Sequence, residues 1–258
     1  MHHLATRPTT TPWAIALALA GSLLLSSPAS AGDPAFSVLV FSKTSGFRHD
    51  SIPVGAEALK KVGEANNFSV VASEDDGLFT ADGLKPFQVI VFLSVTGNKN
   101  FTDPEKEAFK TWYEAGHGWV GIHAASDGGY DWPWYGGLVG AYFRTHPAQQ
   151  QASIQVVDNT HQSTAHLPAV WERKDEWYAF KELPKDVHVL LKIDETSYKP
   201  DKGGMDGNHP MAWWHLYDGG RAFYTELGHT KESFADPLYL KHIAGAILWA
   251  ANRPDAPK

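Results

Sequence analysis

The amino-acid sequence predicts an α/β fold, a three-layer α/β/α sandwich in which helices cover both faces of a mostly parallel sheet. Three apolar runs, residues 36–41, 87–93 and 119–122, have the length of strands and are apolar nearly throughout. Segments with helical periodicity lie between them, joined by short polar loops. Strands buried on both faces that alternate with helices are typical of parallel sheets.

The first half of the chain alternates between strands and helices. After the strand at 36–41, Ser51 is suited to cap a helix, and a second strand follows at 68–72. After the strand at 87–93, Thr102 and Glu105 fit a capping box that opens the next helix. This helix is expected to end at Gly116, just before the fourth strand.

The second half is less regular. Residues 187–193 and 222–225 resemble strands, and residues 154–157 and 211–216 are weaker candidates. Asp236 followed by Pro237 predicts the start of a last helix.

The N-terminal residues 1–31 are predicted to be a signal peptide. Arg7 supplies a positive charge, an apolar run covers residues 13–25, and the small residues of Ala29-Ser30-Ala31 suit signal-peptidase cleavage. The alternative of a membrane anchor is disfavoured because a spanning helix needs about 20 apolar residues. We therefore expect a periplasmic or secreted protein with one domain at 32–258, without stable membrane insertion.

The amino-acid composition excludes several kinds of chemistry and disfavours one class of partner. The chain has no cysteine, so thiol nucleophiles, thiolate metal ligands and disulfides are excluded. Its 22 basic and 29 acidic residues give a net charge of -7, and no basic cluster is present, which argues against a nucleic-acid partner. No nucleotide cofactor is expected, and the sequence does not indicate an oligomeric state.

Four polar loops follow the four predicted strands of the first half. In open parallel sheets, ligands bind outside the carboxyl ends of the strands, so these loops are expected to line one site. They contain Gly46-Phe47-Arg48-His49, Glu74-Asp75-Asp76, residues 94–98 and His123 to Asp127.

His123 is the most informative of these positions. The fourth strand ends abruptly in small residues, Ala124 and Ala125, and His123 is the one large polar side chain at the turn. That layout resembles a nucleophile elbow, which projects one side chain into a site. A histidine there can act as base, acid or metal ligand.

Other histidines add candidates from distant segments. Converged imidazoles suit a divalent metal, with zinc as the first candidate, although no HExxH spacing is present. The six candidates are His49, His123, His146, His209, His215 and His229.

At this point the sequence resembles the ThuA-like (trehalose utilisation) family. The resemblance extends from Phe36 to Trp249. The segments that carry it are Val40-Phe41-Ser42-Lys43-Thr44, Gly46-Phe47-Arg48-His49, Gly121-Ile122-His123-Ala124-Ala125-Ser126-Asp127, His146-Pro147, Asp175-Glu176-Trp177-Tyr178, His209-Pro210 with Trp213 and His215, and residues 221–229.

The resemblance implies a fold like that of class I glutamine amidotransferases. Those enzymes carry a cysteine in the Gly-Ile-Cys elbow and a later histidine. Here His123 stands in place of the cysteine and His229 in place of the triad histidine. Amidotransferase activity is therefore excluded, whereas acid/base chemistry or metal binding by His123 and His229 remains available.

The resemblance also implies a sugar substrate, and the leading hypothesis is an enzyme that cleaves a glycoside or its 3-keto form by elimination or hydrolysis, with or without a metal. Glu176 or His123 would act as base and His229 as acid, while Arg48 and His49, or a metal, would stabilise the oxyanion. The predicted catalytic residues are His123, Glu176, His229 and Asp127. The predicted substrate-binding residues are Arg48, His49, His146, Tyr178, His209, Trp213 and His215.

Two alternatives remain open. One is a non-catalytic module that holds sugar on tryptophans such as Trp132, Trp134, Trp177 or Trp213. The other is a metal-dependent hydrolase of ordinary glycosides or esters.

Overall fold

The computed structural model describes residues 1–3 and 34–252, so nearly all of the predicted signal peptide lies outside the described residues. Strands and helices follow one another in this order: β1 (Ser37–Phe41), α1 (Ile52–Ala65), β2 (Ser69–Ser73), α2 (Ala81–Leu84), β3 (Val89–Leu93), α3 (Asp103–Glu114), β4 (Gly118–Ile122), α4 (Pro133–Val139), β5 (Phe143–Thr145), β6 (Gln150–Val156), β7 (Val170–Asp175), β8 (Ala179–Phe180), β9 (His188–Ile193), β10 (Pro210–Tyr217), β11 (Gly220–Thr225) and α5 (Pro237–Ala250).

Nine strands form one sheet in the order β2-β1-β3-β4-β11-β10-β9-β6-β7. Strands β2, β1, β3, β4 and β11 run parallel to their neighbours and make up what we call the parallel half. Strands β10, β9, β6 and β7 pair antiparallel and make up the antiparallel half. The short strands β5 and β8 pair separately.

Helices cover both faces of the parallel half, which confirms the predicted three-layer α/β class. On one face, Val38 and Val91 pack with Leu59 of α1 and Ile243 of α5. The alternate residues of the same strands, such as Phe92, pack on the other face in the core that contains α3 and α4. Because both faces of the sheet are covered here, β3 is buried and apolar at every position, which is the pattern seen in the sequence.

The structure adds elements that the sequence did not predict. Strands β5, β7 and β8 and helices α2 and α4 were not anticipated. The weaker strand candidate at 154–157 overlaps β6 and the one at 211–216 falls within β10. Strand β7 was missed because its buried positions alternate with charged ones and include Arg173 and Asp175. Alternation with charged inward residues does not resemble a hydrophobic strand.

The two predicted helix caps behave differently. Glu105 accepts a hydrogen bond from the backbone N–H of Thr102 at 2.6 Å, as the capping box requires. Ser51 occupies the N-cap of α1 but makes no side-chain capping bond. Within residues 1–3 and 34–252, no helix combines the length and the apolar character needed to cross a bilayer.

Candidate active site

Three histidines follow the carboxyl ends of strands in the parallel half. His123 comes directly after β4, His229 lies four residues after β11, and His49 lies in the loop after β1. Strand β4 is flanked by β3 and β11, and β1 is the next strand beyond β3, so these ends share one edge of the sheet. Glu176 reaches the same place from the end of β7 in the antiparallel half.

The backbone bends sharply at His123. Its φ is +51°, in the left-handed region that non-glycine residues rarely adopt, and a single helical turn follows at His123–Ser126. Such a conformation costs on the order of 1–3 kcal/mol and persists only where its surroundings enforce it. Tyr224 supplies one such restraint, since its hydroxyl donates to the His123 carbonyl oxygen at 2.8 Å.

His49, His123, Glu176 and His229 form what we call the His–Glu cluster. One potential ligand atom from each residue lies within 4.8 Å of the others. His229 Nδ1 is 3.0 Å from Glu176 Oε2 and 3.1 Å from His123 Nε2. His123 Nε2 is in turn 3.5 Å from Glu176 Oε2.

Hydrogen bonding fixes which nitrogen of His123 faces the cluster. Nδ1 lies 2.7 Å from the carbonyl oxygen of Glu226, which can only accept, so Nδ1 carries the proton and donates. His123 therefore presents its Nε2 to Glu176 and His229. The ring nitrogens of His123 and His229 and the carboxylate of Glu176 all carry lone pairs. A proton or a cation between them is needed to offset their mutual repulsion.

The cluster favours positive charge. Burial alone would raise the pKa of Glu176, but hydrogen bonds from His123 and His229 outweigh it and hold that pKa well below its usual value. Burial would likewise lower the pKa of His229, yet the hydrogen bond and the charge of Glu176 raise it. Burial, reinforced by the neighbouring histidines, lowers the pKa of His49 to about 3, so this ring stays neutral.

The donor set fits a divalent metal ion. Neutral imidazoles and a carboxylate are ligands for zinc and its neighbours in the first transition row. His49 Nδ1 is buried without a hydrogen-bond partner, which is costly for a polar atom unless a ligand pairs with it. The bond from His123 Nδ1 to a backbone carbonyl is the second contact that metal-binding histidines usually make.

A rim of further side chains surrounds the cluster. His146 Nδ1 is 3.1 Å from Glu176 Oε1, and the His146 side chain is partly exposed. Asp127 is half-buried and accepts a hydrogen bond from the Tyr130 hydroxyl at 2.7 Å. Burial raises the pKa of the Asp127 carboxyl, against the opposing effects of Tyr130, His123 and nearby cations.

A buried ion pair joins the two segments that carry Glu176 and His229. Asp175, with no exposed surface, accepts from Arg173 at 3.0 Å and from the Ser233 hydroxyl at 2.9 Å. The same carboxylate accepts from the backbone N–H of Glu176 at 3.0 Å and of Gly228 at 3.1 Å. Asp175 therefore holds Glu176 and the loop before His229 in register.

Other residues predicted to bind substrate lie outside the cluster. Arg48 is exposed and pairs with Glu74 at 2.6 Å rather than turning inward. Tyr178 is buried and stacks behind His123 with ring centroids 4.3 Å apart. His209 is buried beneath it, with Nε2 donating to the Tyr178 carbonyl oxygen at 2.7 Å, so both residues support the cluster from behind.

Two further residues predicted to contact substrate also lie outside the cluster. Trp213 is 1% exposed and donates to the Val139 carbonyl oxygen at 2.9 Å, which places it in the core beside α4. His215 is buried on β10, paired with Ala222 of β11, and is not among the cluster residues. Both side chains point into the protein interior. Residue type alone does not show in which direction a side chain on a strand points.

The tryptophans proposed to stack on sugar are also poor platforms. Trp177 has no exposed surface, and its indole N–H donates to the Gln150 carbonyl oxygen at 3.0 Å. Trp132 and Trp134 stack on each other with centroids 5.3 Å apart and pack against the α3 core.

Sequence reasoning missed Asp175 and Glu226 as supports of the site. Glu226 is fully buried, its Oε1 accepts from the Tyr178 N–H at 2.8 Å, and its backbone carbonyl accepts from His123. Both residues stand in segments that carry the family resemblance, and each lies within three residues of a predicted site residue at a strand end, but neither signal indicated a supporting role.

Comparisons with known proteins agree with this architecture. A family model described as ThuA, trehalose utilisation, matches residues 37–250. The solved structure of a ThuA-like protein from Bacteroides uniformis is 26% identical, with a TM-score of 0.71, and the match covers 86% of this chain and 93% of that one. No curated protein matches the sequence.

Two other structures share the fold. A ThuA-like protein from Parabacteroides merdae is 20% identical with a TM-score of 0.73, over 87% of this chain and 92% of that one. PurLQS from Thermotoga maritima is 13% identical with a TM-score of 0.51, over 83% of this chain and 99% of that one. The fold is thus common to ThuA-like proteins and to structures of the glutamine amidotransferase class.

Proposed function

Because the chain belongs to the ThuA (trehalose utilisation) family, we propose that it is an exported enzyme that cleaves the glycosidic bond of a 3-keto-disaccharide. The family supports a role connected with carbohydrate. The proposal that the protein is an enzyme rests on the His–Glu cluster. Four ionisable side chains from four separate segments place ligand atoms within 4.8 Å of one another there. Such groups perturb one another's pKa, which is typical of sites that do chemistry.

We assign His49, His123, His229 and Glu176 to hold a divalent metal ion, with zinc as the first candidate. When bound, the ion would supply Lewis-acid stabilisation of negative charge on a substrate oxygen. Glu176 suits this role better than that of a base, because its depressed pKa makes the carboxylate a weak proton acceptor and a good partner for a cation.

Asp127 is the better candidate for the base. Burial raises its pKa, which increases its affinity for a proton, and Tyr130 orients it. In a 3-keto-glycoside the ketone acidifies the hydrogen at C2. Asp127 would remove that proton, and the electron pair would form an enolate whose charge rests on the C3 oxygen.

The enolate then collapses with loss of the glycosidic oxygen. The C1–O bond breaks as a C1–C2 double bond forms, which leaves an unsaturated keto-sugar and a free sugar. His146, partly exposed and 3.1 Å from Glu176 Oε1, is placed to give the departing oxygen a proton. Glutamine amidotransferase chemistry is excluded because the chain has no cysteine.

Turnover of 3-keto-trehalose by the purified protein tests this function, with trehalose as the comparison substrate. We expect a conjugated keto-sugar detected by ultraviolet absorbance, free glucose in equal amount, and loss of activity on chelation that added metal restores. His123→Ala and Glu176→Gln should each lose at least about a hundredfold in rate.

His188→Ala is the matched control, because His188 is exposed and stacks on Trp214 outside the cluster. Unchanged rates in both cluster variants would rule out the proposed roles. Sugar binding with no product would favour the non-catalytic module, and hydrolysis of trehalose itself without a conjugated product would favour an ordinary metal-dependent hydrolase.

We also propose export, with cleavage near Ala31, from the signal-like pattern of residues 1–31. N-terminal sequencing of the protein recovered from the periplasm or medium should begin near Gly32. Recovery of an uncleaved chain only from the cytoplasm would contradict export.

A further inference from the structure

We propose that Phe47 forms a stacking platform for one pyranose ring of the substrate, at the mouth of the His–Glu cluster. The ligand class rests on the proposed function, but the existence of the platform rests on the geometry of the loop between β1 and α1.

Phe47 is unusual in its exposure. Its side chain is 66% exposed, and it is the one aromatic residue among the exposed large hydrophobic residues of the described chain. The others are the aliphatic residues Met1, Val54, Val71, Val157, Val170, Leu183 and Leu216. An aromatic ring left in water carries apolar area that binding of a ligand can bury.

The position of the ring connects it to the cluster. The Phe47 and His49 rings meet edge to face, with centroids 4.8 Å apart and an interplanar angle of 82°. His49 in turn lies 4.9 Å from His123 and 5.1 Å from His229 between ring centroids. A ligand resting on Phe47 would therefore lie next to the groups assigned to the chemistry.

The backbone beneath Phe47 is fixed. The Thr96 hydroxyl donates to the Phe47 carbonyl oxygen at 2.7 Å, and the N–H groups of Ser45 and Gly46 donate to the Thr96 carbonyl oxygen at 2.9 and 3.2 Å. A Cβ on Gly97 would meet Ser45 Oγ at 2.5 Å, so the two loops are in close contact. The ring is thus presented by a pre-organised loop, which lowers the entropic cost of binding.

Polar groups flank the ring on the same loop. Arg48 donates two hydrogen bonds to Glu74, at 3.1 and 2.6 Å, and both side chains remain 47% exposed. Asp50 pairs with Lys231 at 2.6 Å. The apolar face of a pyranose could pack on the Phe47 ring, and the hydroxyls at its edge could hydrogen-bond to these polar side chains. Ligand sites usually combine an apolar surface with a few polar groups in this way.

Substitutions of Phe47 test the platform, with 3-keto-trehalose as the substrate. Phe47→Ala and Phe47→Leu should each raise KM about tenfold, the order expected for one lost aromatic stacking contact, and leave kcat within about twofold. Phe47→Trp should keep KM near the wild-type value because it retains a flat aromatic face. Leu216→Ala is the control, since Leu216 is 69% exposed on β10 and should change neither constant.

Direct binding separates this proposal from the proposed chemistry. Calorimetric titration of trehalose and 3-keto-trehalose into Glu176→Gln, with and without Phe47→Ala, measures sugar affinity in the absence of turnover. Weaker binding only in the double variant would support the platform even if the wild-type protein turned over neither sugar. Unchanged affinity and KM in Phe47→Ala, or an equal loss in Leu216→Ala, would overturn it.

Discussion

The parallel and antiparallel halves of the sheet contribute different chemistry to the same site. The parallel half supplies the three imidazoles, at the ends of β1, β4 and β11. The antiparallel half supplies the carboxylate of Glu176 and, through Asp175, the contact that locks it to the His229 loop. In this amidotransferase-like fold, His123 takes the place of the elbow cysteine. Its carboxylate partner, Glu176, comes from outside the parallel half of the sheet.

The two halves of the sheet hold their site residues in place by different interactions. The three imidazoles follow strands that the hydrophobic core buries on both faces, so the strands from which they extend are anchored by apolar packing. Glu176 follows an edge strand, and its position depends on buried ion pairs and hydrogen bonds. Substitutions in the two halves should therefore change metal affinity and stability to different extents.

Glu176→Gln should have the largest effect. It removes the carboxylate charge that favours a cation while preserving shape, so affinity for zinc should fall by more than about a hundredfold with the fold intact. Titration of metal into the metal-free protein measures this. Glu172→Gln is the matched control on β7, the strand that Glu176 follows, because Glu172 is exposed and accepts a hydrogen bond from Ser153. Equal affinities in the two variants would break the assignment.

Asp175→Asn should have an intermediate effect. It weakens the link between β7 and the His229 loop and leaves Arg173 poorly paired, so we expect a loss of metal affinity of about 10–100-fold together with lower stability. Asp194→Asn, at an exposed turn where Asp194 accepts from Thr196, is the control. Ser233→Ala, which removes one donor to Asp175, should shift affinity in the same direction by less. Full affinity in both Asp175→Asn and Ser233→Ala would show that this contact does not position the site.

Glu226→Gln should have the smallest effect, and one that depends on pH. Burial, with the charge of Asp175, raises the pKa of Glu226 well above its usual value, so this carboxyl keeps its proton to a higher pH in the folded protein than in the unfolded chain. A raised carboxyl pKa lowers stability as pH rises above the unfolded value, and glutamine removes that dependence. The melting temperature of the variant relative to wild type should increase from pH 5 to pH 8, by about 2–4 °C for each kcal/mol. A constant difference would contradict a raised pKa of Glu226.

The same contrast explains how far the sequence was informative. His49 and His123 could be nominated because continuous apolar runs reveal parallel strands, and ligands bind beyond the ends of such strands. His229 was nominated as a later loop histidine that takes the place of the triad histidine in the family resemblance. Glu176 was nominated from the residues of Asp175-Glu176-Trp177-Tyr178 and from the family resemblance, not from a strand end, since β7 alternates charged and apolar residues and gave no strand signal. Trp213 and His215 were nominated by motif and residue type, and the structure places both on β10, outside the cluster.

Binding of a divalent metal to metal-free wild-type protein is the most direct test of the His–Glu cluster as the working centre. Titration with zinc, and with manganese as a second ion, should give one ion per chain. His49→Ala, His123→Ala and His229→Ala combined should abolish it. Failure of both ions to bind, or binding that survives loss of all three imidazoles, would contradict the account.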